Sequence, residues 1–238
     1  MKPVITYEAL RRFAYSNDAL IRGRIRGVIL RFMGLNGSDM FDEDDARAQS
    51  LAEKGIVLLI PYCDPWNWMN ARAVAYTEEL LSVLRAHYGL PEDLPVVSTG
   101  GSMGGQCALV YACYARRTPA ACVVNCPVCD LPFHYTERPD LPRTLYSAFM
   151  DAPEDTLEAA LAAHSPLHLA ARMPDIPYVV FHCEADRMVN IHSHSERFVA
   201  AMRPDHDVEY ITIPGRDHCD LGEEGAALYA RRAEEAIG

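Results

Sequence analysis

The segment of this chain best suited to chemistry is Gly100-Gly101-Ser102-Met103-Gly104. It fits the pattern G-x-S-x-G, in which a serine on a sharp strand-to-helix turn exposes its hydroxyl. Five loose positions are weak by themselves. The context adds weight, because an apolar strand-like run, 96–99, ends just before the motif and a helix-like segment, 104–116, starts inside it. Small neighbours leave room for the turn, and free N–H groups at the helix start favour an anion. The loop has neither the lysine of a P-loop nor the G-x-G-x-x-G spacing, so a phosphate-binding turn is the weaker reading. A hydroxyl is a poor nucleophile at neutral pH, so Ser102 requires a general base with an acid behind it.

Both partners stand downstream in the order serine, acid, histidine. The apolar run 178–183 leads into Glu184-Ala185-Asp186, and the run 210–213 leads into Pro214-Gly215-Arg216-Asp217-His218. His218 is the expected base, titrating near the ordinary histidine value of about 6.5, give or take a unit. Glu184, Asp186 and Asp217 compete as the acid. Asp217 adjoins His218, and neighbouring side chains on an extended loop tend to point apart. Glu184 is too close to the strand end, whereas Asp186 lies further into the loop.

Around these residues, short apolar runs (27–33, 56–60, 96–99, 121–125, 177–183, 208–213) alternate with amphipathic ones (41–54, 71–88, 104–116, 191–202, 220–237). Such alternation predicts an α/β protein with βαβ units and a mostly parallel sheet. Uninterrupted apolar strands such as 56–60 imply that helices cover both faces. The first amphipathic run is expected to be a helix over 41–54, with Asp42, Glu43, Asp44 and Asp45 in its first turn. One stretch, 127–173, breaks the rhythm. It is rich in proline and aromatic residues, with short helical pieces, the clearest over 154–163. A loop-rich insertion of that length is usually functional, which suggests a small cap; a plain surface insertion is the alternative.

These motifs resemble the α/β-hydrolase family, in the branch that holds small esterases and the catalytic domains of prolyl-oligopeptidase-like enzymes. His182-Cys183-Glu184-Ala185-Asp186-Arg187-Met188-Val189 looks like that branch's H-G-x-x-D-x-x-V segment, with Cys183 in place of glycine. Ser165-Pro166 looks like its S-P segment and Gly215-Arg216-Asp217-His218 like its G-x-x-H segment. The resemblance covers roughly residues 27–238 and leaves the first two dozen unexplained. It implies an α/β-hydrolase fold in a single domain over 1–238, and Asp186 as the acid. By position it places an oxyanion hole at the backbone N–H groups of Leu35 and Met103. The oxyanion loop departs from the branch's usual H-G, reading Met33-Gly34-Leu35-Asn36-Gly37, but a backbone donor survives a side-chain change.

The substrate pocket is expected to involve Gly34, with Trp66, Trp68, Tyr135 and Phe149 lining it from the sheet edge and the insertion. For Trp66 and Trp68, pocket lining and plain packing are equally open. Cys126-Pro127-Val128-Cys129 is a C-x-x-C, but it enters the proline-rich insertion and has no second copy. The histidines lack recognisable ligand spacing, so neither a metal nor a cofactor is expected. A net charge of −11 argues against nucleic acid and anionic membranes as partners. The start of the chain, with no apolar h-region, and eight cysteines of which several (Cys107, Cys113, Cys122, Cys183) sit in apolar stretches point to a reduced, cytoplasmic protein. The leading expectation is a serine esterase that hydrolyses small carboxylic esters through an acyl-enzyme. A small peptidase or amidase, an acyltransferase, and a non-catalytic ligand-binding relative are the alternatives; oligomeric state is left open.

Overall fold

A computed structural model describes residues 5–41 and 43–238. Seven strands form one sheet: β1 (Ala14–Ser16), β2 (Gly27–Phe32), β3 (Ile56–Pro61), β4 (Val96–Gly101), β5 (Ala121–Asn125), β6 (Tyr178–Cys183) and β7 (Val208–Ile213). Their spatial order is β1-β3-β2-β4-β5-β6-β7. β1 runs antiparallel to β3; the other pairings are parallel. Helices α1 (Ala46–Glu53) and α2 (Ala71–Tyr88) precede β4, and α3 (Met103–Tyr114) follows it. Between β5 and β6 stand α4 (Leu131–Glu137), α5 (Leu141–Phe149), α6 (Leu157–Ala163) and α7 (Pro166–Leu169); α8 (Ser195–Met202) and α9 (Gly222–Glu235) flank β7.

The period-two alternation of the strands splits the core in two. Val28, Leu30, Val57, Leu59 and Val124 face α2, α3 and the α4–α7 segment. Ile29, Ile56, Leu58, Val97 and Val123 face α1 and α9. Because both faces are covered, every residue of β3 and β5 is buried, which explains their unbroken apolar runs.

Four details differ from the sequence expectations. The first amphipathic run becomes helical at Ala46, because the Asp45 side chain accepts the Ala48 N–H at 2.7 Å and caps the helix there. Asp44 accepts the Tyr15 hydroxyl instead of sitting in the first turn, and Asp42 lies outside the described residues, as do residues 1–4 at the chain's start. The run 191–202 becomes helical only at Ser195, since the Asn190 side chain accepts the His192 and Ser193 N–H groups and holds a turn. Segment 127–173 is more helical than its composition suggests. Pro132, Pro142 and Pro166 stand in the first turns of α4, α5 and α7, where a missing N–H costs nothing.

Residues 5–24 close the sheet edge. β1 adds the antiparallel strand, and the buried Asn17 ties it inward, donating to Ala48 O at 2.8 Å and accepting from Leu58 N at 2.7 Å. Among the described residues, no helix is long and apolar enough to cross a membrane.

Candidate active site

Ser102 joins β4 to α3 at φ 58° and ψ −126°, a conformation that side-chain-bearing residues adopt only under constraint. Its N–H donates to Asn125 O at 2.9 Å, which pins the turn to β5. The outer glycines of the motif are steric requirements. A Cβ on Gly100 would lie 2.2 Å from Gly104 O, and a Cβ on Gly104 would lie 2.2 Å from Phe32 O. Glycine at both positions thus allows α3 to start against the ends of β2 and β4. Met103 is the first residue of α3 and Leu35 follows β2. Among the described residues, neither N–H meets a backbone acceptor, so both are free to bind an oxyanion.

Asp186 and His218 come together from the loops after β6 and β7. His218 Nδ1 lies 2.7 Å from Asp186 Oδ2, and the Asp186 side chain is fully buried. Its other oxygen accepts the Met188 and Val189 N–H groups at 2.8 and 2.9 Å. His182 supports the same loop: its Nε2 lies 3.0 Å from Val189 O, and its Nδ1 bonds Ser195 Oγ. The rival carboxylates are engaged elsewhere. Asp217 pairs with Arg187 and accepts the His218 N–H, and Glu184 accepts the Thr212 hydroxyl.

Burial opposes charge on both members of the Asp186–His218 pair, but their mutual bonding wins. Asp186 is held well below the usual carboxylate range by the bonds from His182, His218 and Val189. Burial works to lower His218, yet its bonds to Asp186 and Cys126 push it up to about 9, above the sequence expectation of about 6.5. No hydrogen bond joins Ser102 Oγ to His218 among the described residues. Such a bond is often long until substrate tightens it. His218 Nε2 instead has Cys219 Sγ 3.7 Å away.

Ser102, His218, Gly34, Leu35 and Trp68 line one cavity of about 510 Å³ at the C-terminal ends of the strands. Trp68 is wholly buried, donates from Nε1 to Thr144 of α5 at 3.2 Å and meets the His134 ring edge-on at 5.7 Å. It both packs and lines. Trp66 lies in an adjoining cleft, bonded to Asn36 and covered by the Arg143 guanidinium. Phe149 and Tyr135 are not brought to the cavity. Phe149 turns inward onto His164, with ring centroids 4.7 Å apart, and Tyr135 packs against the core. α5 buries an apolar stripe of its own, made by Leu141, Leu145 and Phe149, whereas Tyr135 on α4 is half-buried. Ser165 of the S-P segment is a tie, accepting from Leu131 N and donating to Cys129 O.

Sequence reading missed a buried relay beneath the cavity. His194 Nδ1 accepts the N–H groups of Cys129 and Asp130 at 3.1 and 3.2 Å, which leaves its proton on Nε2, 2.9 Å from Glu137 Oε2. Glu137 also takes His134 Nδ1. Burial works to raise Glu137, but these bonds hold it down at about 2. The relay fixes the His134 tautomer with Nε2 as an acceptor, and His134 lines the cavity. Only the i, i+3 spacing of His134 and Glu137 was visible beforehand; His194 lies far along the chain. A larger concavity, about 1030 Å³, opens at the opposite, N-terminal ends of the strands and holds none of this chemistry.

The prolyl oligopeptidase family matches residues 83–235, a span that contains Ser102, Asp186 and His218. No curated protein matches the sequence. Among solved structures, an S-formylglutathione hydrolase from Agrobacterium tumefaciens is similar at 16% identity with a TM-score of 0.69, over 94% of this chain and 87% of that one. Esterase 2 of Thermogutta terrifontis follows at 17% and 0.63, over 94% and 85%. A puromycin-hydrolyzing peptidase of Mycobacterium tuberculosis gives 19% and 0.68, over 91% of this chain but 34% of its own, so the present chain spans about a third of that peptidase. At these identities the likeness shows the fold. Fold and family together place the chain in the α/β-hydrolase class. More narrowly, the chain belongs to the prolyl oligopeptidase family.

Proposed function

We propose that the protein is a serine esterase that hydrolyses small carboxylic esters through an acyl-enzyme, with Ser102 as nucleophile, His218 as base and Asp186 as the acid that orients it. The observation that carries this reading is that Ser102, on its constrained turn, and His218, bonded to buried Asp186, open into the same cavity. Neutral His218 takes the Ser102 proton as the hydroxyl attacks the ester carbonyl, and Asp186 stabilises the imidazolium that results. The N–H groups of Leu35 and Met103 receive the oxyanion. His218 then protonates the leaving alcohol, and water repeats the sequence on the acyl-Ser102 ester. The apolar walls supplied by Leu35, Trp68 and Met188 suit an acyl chain.

Family membership and the His134 acceptor favour a second reading, cleavage of a small amide or peptide, since Nε2 can take an amide N–H. Turnover of a p-nitrophenyl ester panel, from acetyl to octanoyl, set against aminoacyl p-nitroanilides separates the two. Ser102→Ala is expected to fold and to lose about 10³-fold or more of either activity, together with fluorophosphonate labelling. Wild-type turnover by a clean, folded Ser102→Ala protein defeats both readings.

A further inference from the structure

Two thiols flank the nitrogen that the proposed mechanism needs. We propose that Cys126 Sγ, Cys219 Sγ and His218 Nε2 form a site for a thiophilic divalent cation of the zinc class, and that occupancy withdraws His218 from Ser102. The binding half stands on geometry alone; the inhibitory half rests on the role given to His218 above.

The three ligand atoms lie within 4.8 Å of one another. Cys219 Sγ is 3.7 Å from His218 Nε2. A tetrahedral zinc with Zn–S near 2.3 Å and Zn–N near 2.1 Å sets adjacent sulfur and nitrogen about 3.5 Å apart, so little movement is required. The backbone fixes both thiols. Cys126 follows β5 directly at φ 45°, its N–H bonded to Phe181 O at 2.8 Å. Cys219 stands at φ 60°, its carbonyl held by the Asn125 side chain at 3.1 Å.

The surroundings suit a metal as well. His218 Nδ1 is engaged by Asp186, which leaves Nε2 as the nitrogen beside the two thiols. A carboxylate behind the ligating imidazole is a common supporting arrangement at zinc sites. Cys126 Sγ accepts the Cys183 N–H at 3.3 Å, which helps to hold the sulfur in place, while the Cys219 thiol beside it and burial keep Cys126 protonated until a metal binds. Two thiolates and one neutral imidazole balance a dication. Binding expels the proton of each thiol, and that of His218 where it is charged, so affinity rises with pH. His218 and Cys219 line the cavity that Ser102 shares, so a bound cation would sit beside the nucleophile. The buried His134–Glu137–His194 cluster has similar ligand types but cannot serve in the same way. His194 Nδ1 accepts two backbone N–H groups, and its Nε2 proton is spent on Glu137. Nor do Cys126 and Cys129 act as a C-x-x-C pair, since the partner of Cys126 comes from the far end of the sequence.

The test uses the full chain, stripped of metal and kept reduced with a phosphine. Titration with Co²⁺ is expected to give a near-ultraviolet thiolate-to-metal band saturating at one equivalent and displaced by Zn²⁺. Cys219→Ser and Cys126→Ala should each weaken or abolish it, with thermal melting to verify folding. If Cys126→Ala does not fold, Cys219→Ser decides. In the wild type, Zn²⁺ should slow fluorophosphonate labelling of Ser102 at least about tenfold, with recovery on adding EDTA, as expected when a metal takes the base nitrogen. Each variant, compared with its own metal-free rate, should be insensitive. Absence of the band, or its persistence in both variants, overturns the site. A normal band with unslowed labelling overturns the inhibitory half. Failure of the metal-free wild type to label at all strikes the hydrolase reading and leaves the cobalt result standing.

Discussion

His218 Nδ1 and Asp186 Oδ2 meet at 2.7 Å from two different loops, and the carboxylate that receives the imidazole is fully buried while the imidazole keeps one side toward the cavity. This asymmetry means that Asp186 can be served only by protein groups, and it governs the first two predictions.

Asp186→Asn keeps the fold but offers His218 an amide, which favours the wrong tautomer. Turnover is expected to fall by about 10⁴-fold. Glu184→Gln, whose exposed carboxylate bonds Thr212, should stay within about threefold of wild type, as surface changes usually do. Steady-state kinetics on the three purified proteins decide. If Glu184→Gln is the damaging change and Asp186→Asn is mild, the acid is misassigned.

The pH profile follows from the same pair. His218 must be neutral to act as a base, and its pKa is pushed up to about 9. Activity should therefore decline as pH falls through about 9, instead of through the ordinary histidine value of about 6.5. In Asp186→Asn, burial acts without its counter-charge, and the limb should move to lower pH. The contribution of His218 to stability runs the opposite way: it is complete below about 6.5 and is lost as pH rises through about 9. A kcat/KM profile from about pH 5 to about pH 10 tests this. A wild-type plateau that extends down to about pH 6 contradicts it.

The aromatic residues of the α4–α7 segment should divide by position. Phe149→Leu, inside the segment, is expected to lower stability by about 1 kcal/mol without changing ester preference. Trp68→Phe removes the bond to Thr144 and reshapes the cavity wall, so acyl-chain preference should shift. Truncating Trp68 to alanine would cost about 3–5 kcal/mol and confuse specificity with unfolding, so phenylalanine is the better probe. Melting curves and the ester panel, read together, sort the two; a shifted preference in Phe149→Leu alone reverses the assignment.

Glu137→Gln should release the His134 tautomer and remove the acceptor from the cavity. For substrates carrying an N–H beside the scissile group, KM is expected to rise about tenfold, the value of one well-placed hydrogen bond. Plain alkyl esters should be unaffected in KM, and kcat should hold for both. An equal loss for the two substrate types would make the relay purely structural.

The sequence by itself determined the alternation of strands and helices, the strand–Ser102–helix turn, and the order Ser102, Asp186, His218. These are local or periodic properties: two-residue alternation, small residues at a turn, and loops that follow strands of a parallel sheet on one edge. That Asp217 would turn away from His218 was legible because adjacency in sequence points side chains apart, and the Asp217–Arg187 pairing shows that divergence. Local patterns could not say which side of α5 faced the cavity, so Phe149 looked like a wall and is core. Nor could they join His194 to Glu137, or Cys126 to Cys219 across the sheet edge, since those neighbours are separated by dozens of residues and meet only when β5, β6 and β7 align in register. The elevated pKa of His218 belongs to the same class: it arises from desolvation and from a carboxylate brought over from another loop, and neither exists until the chain has packed.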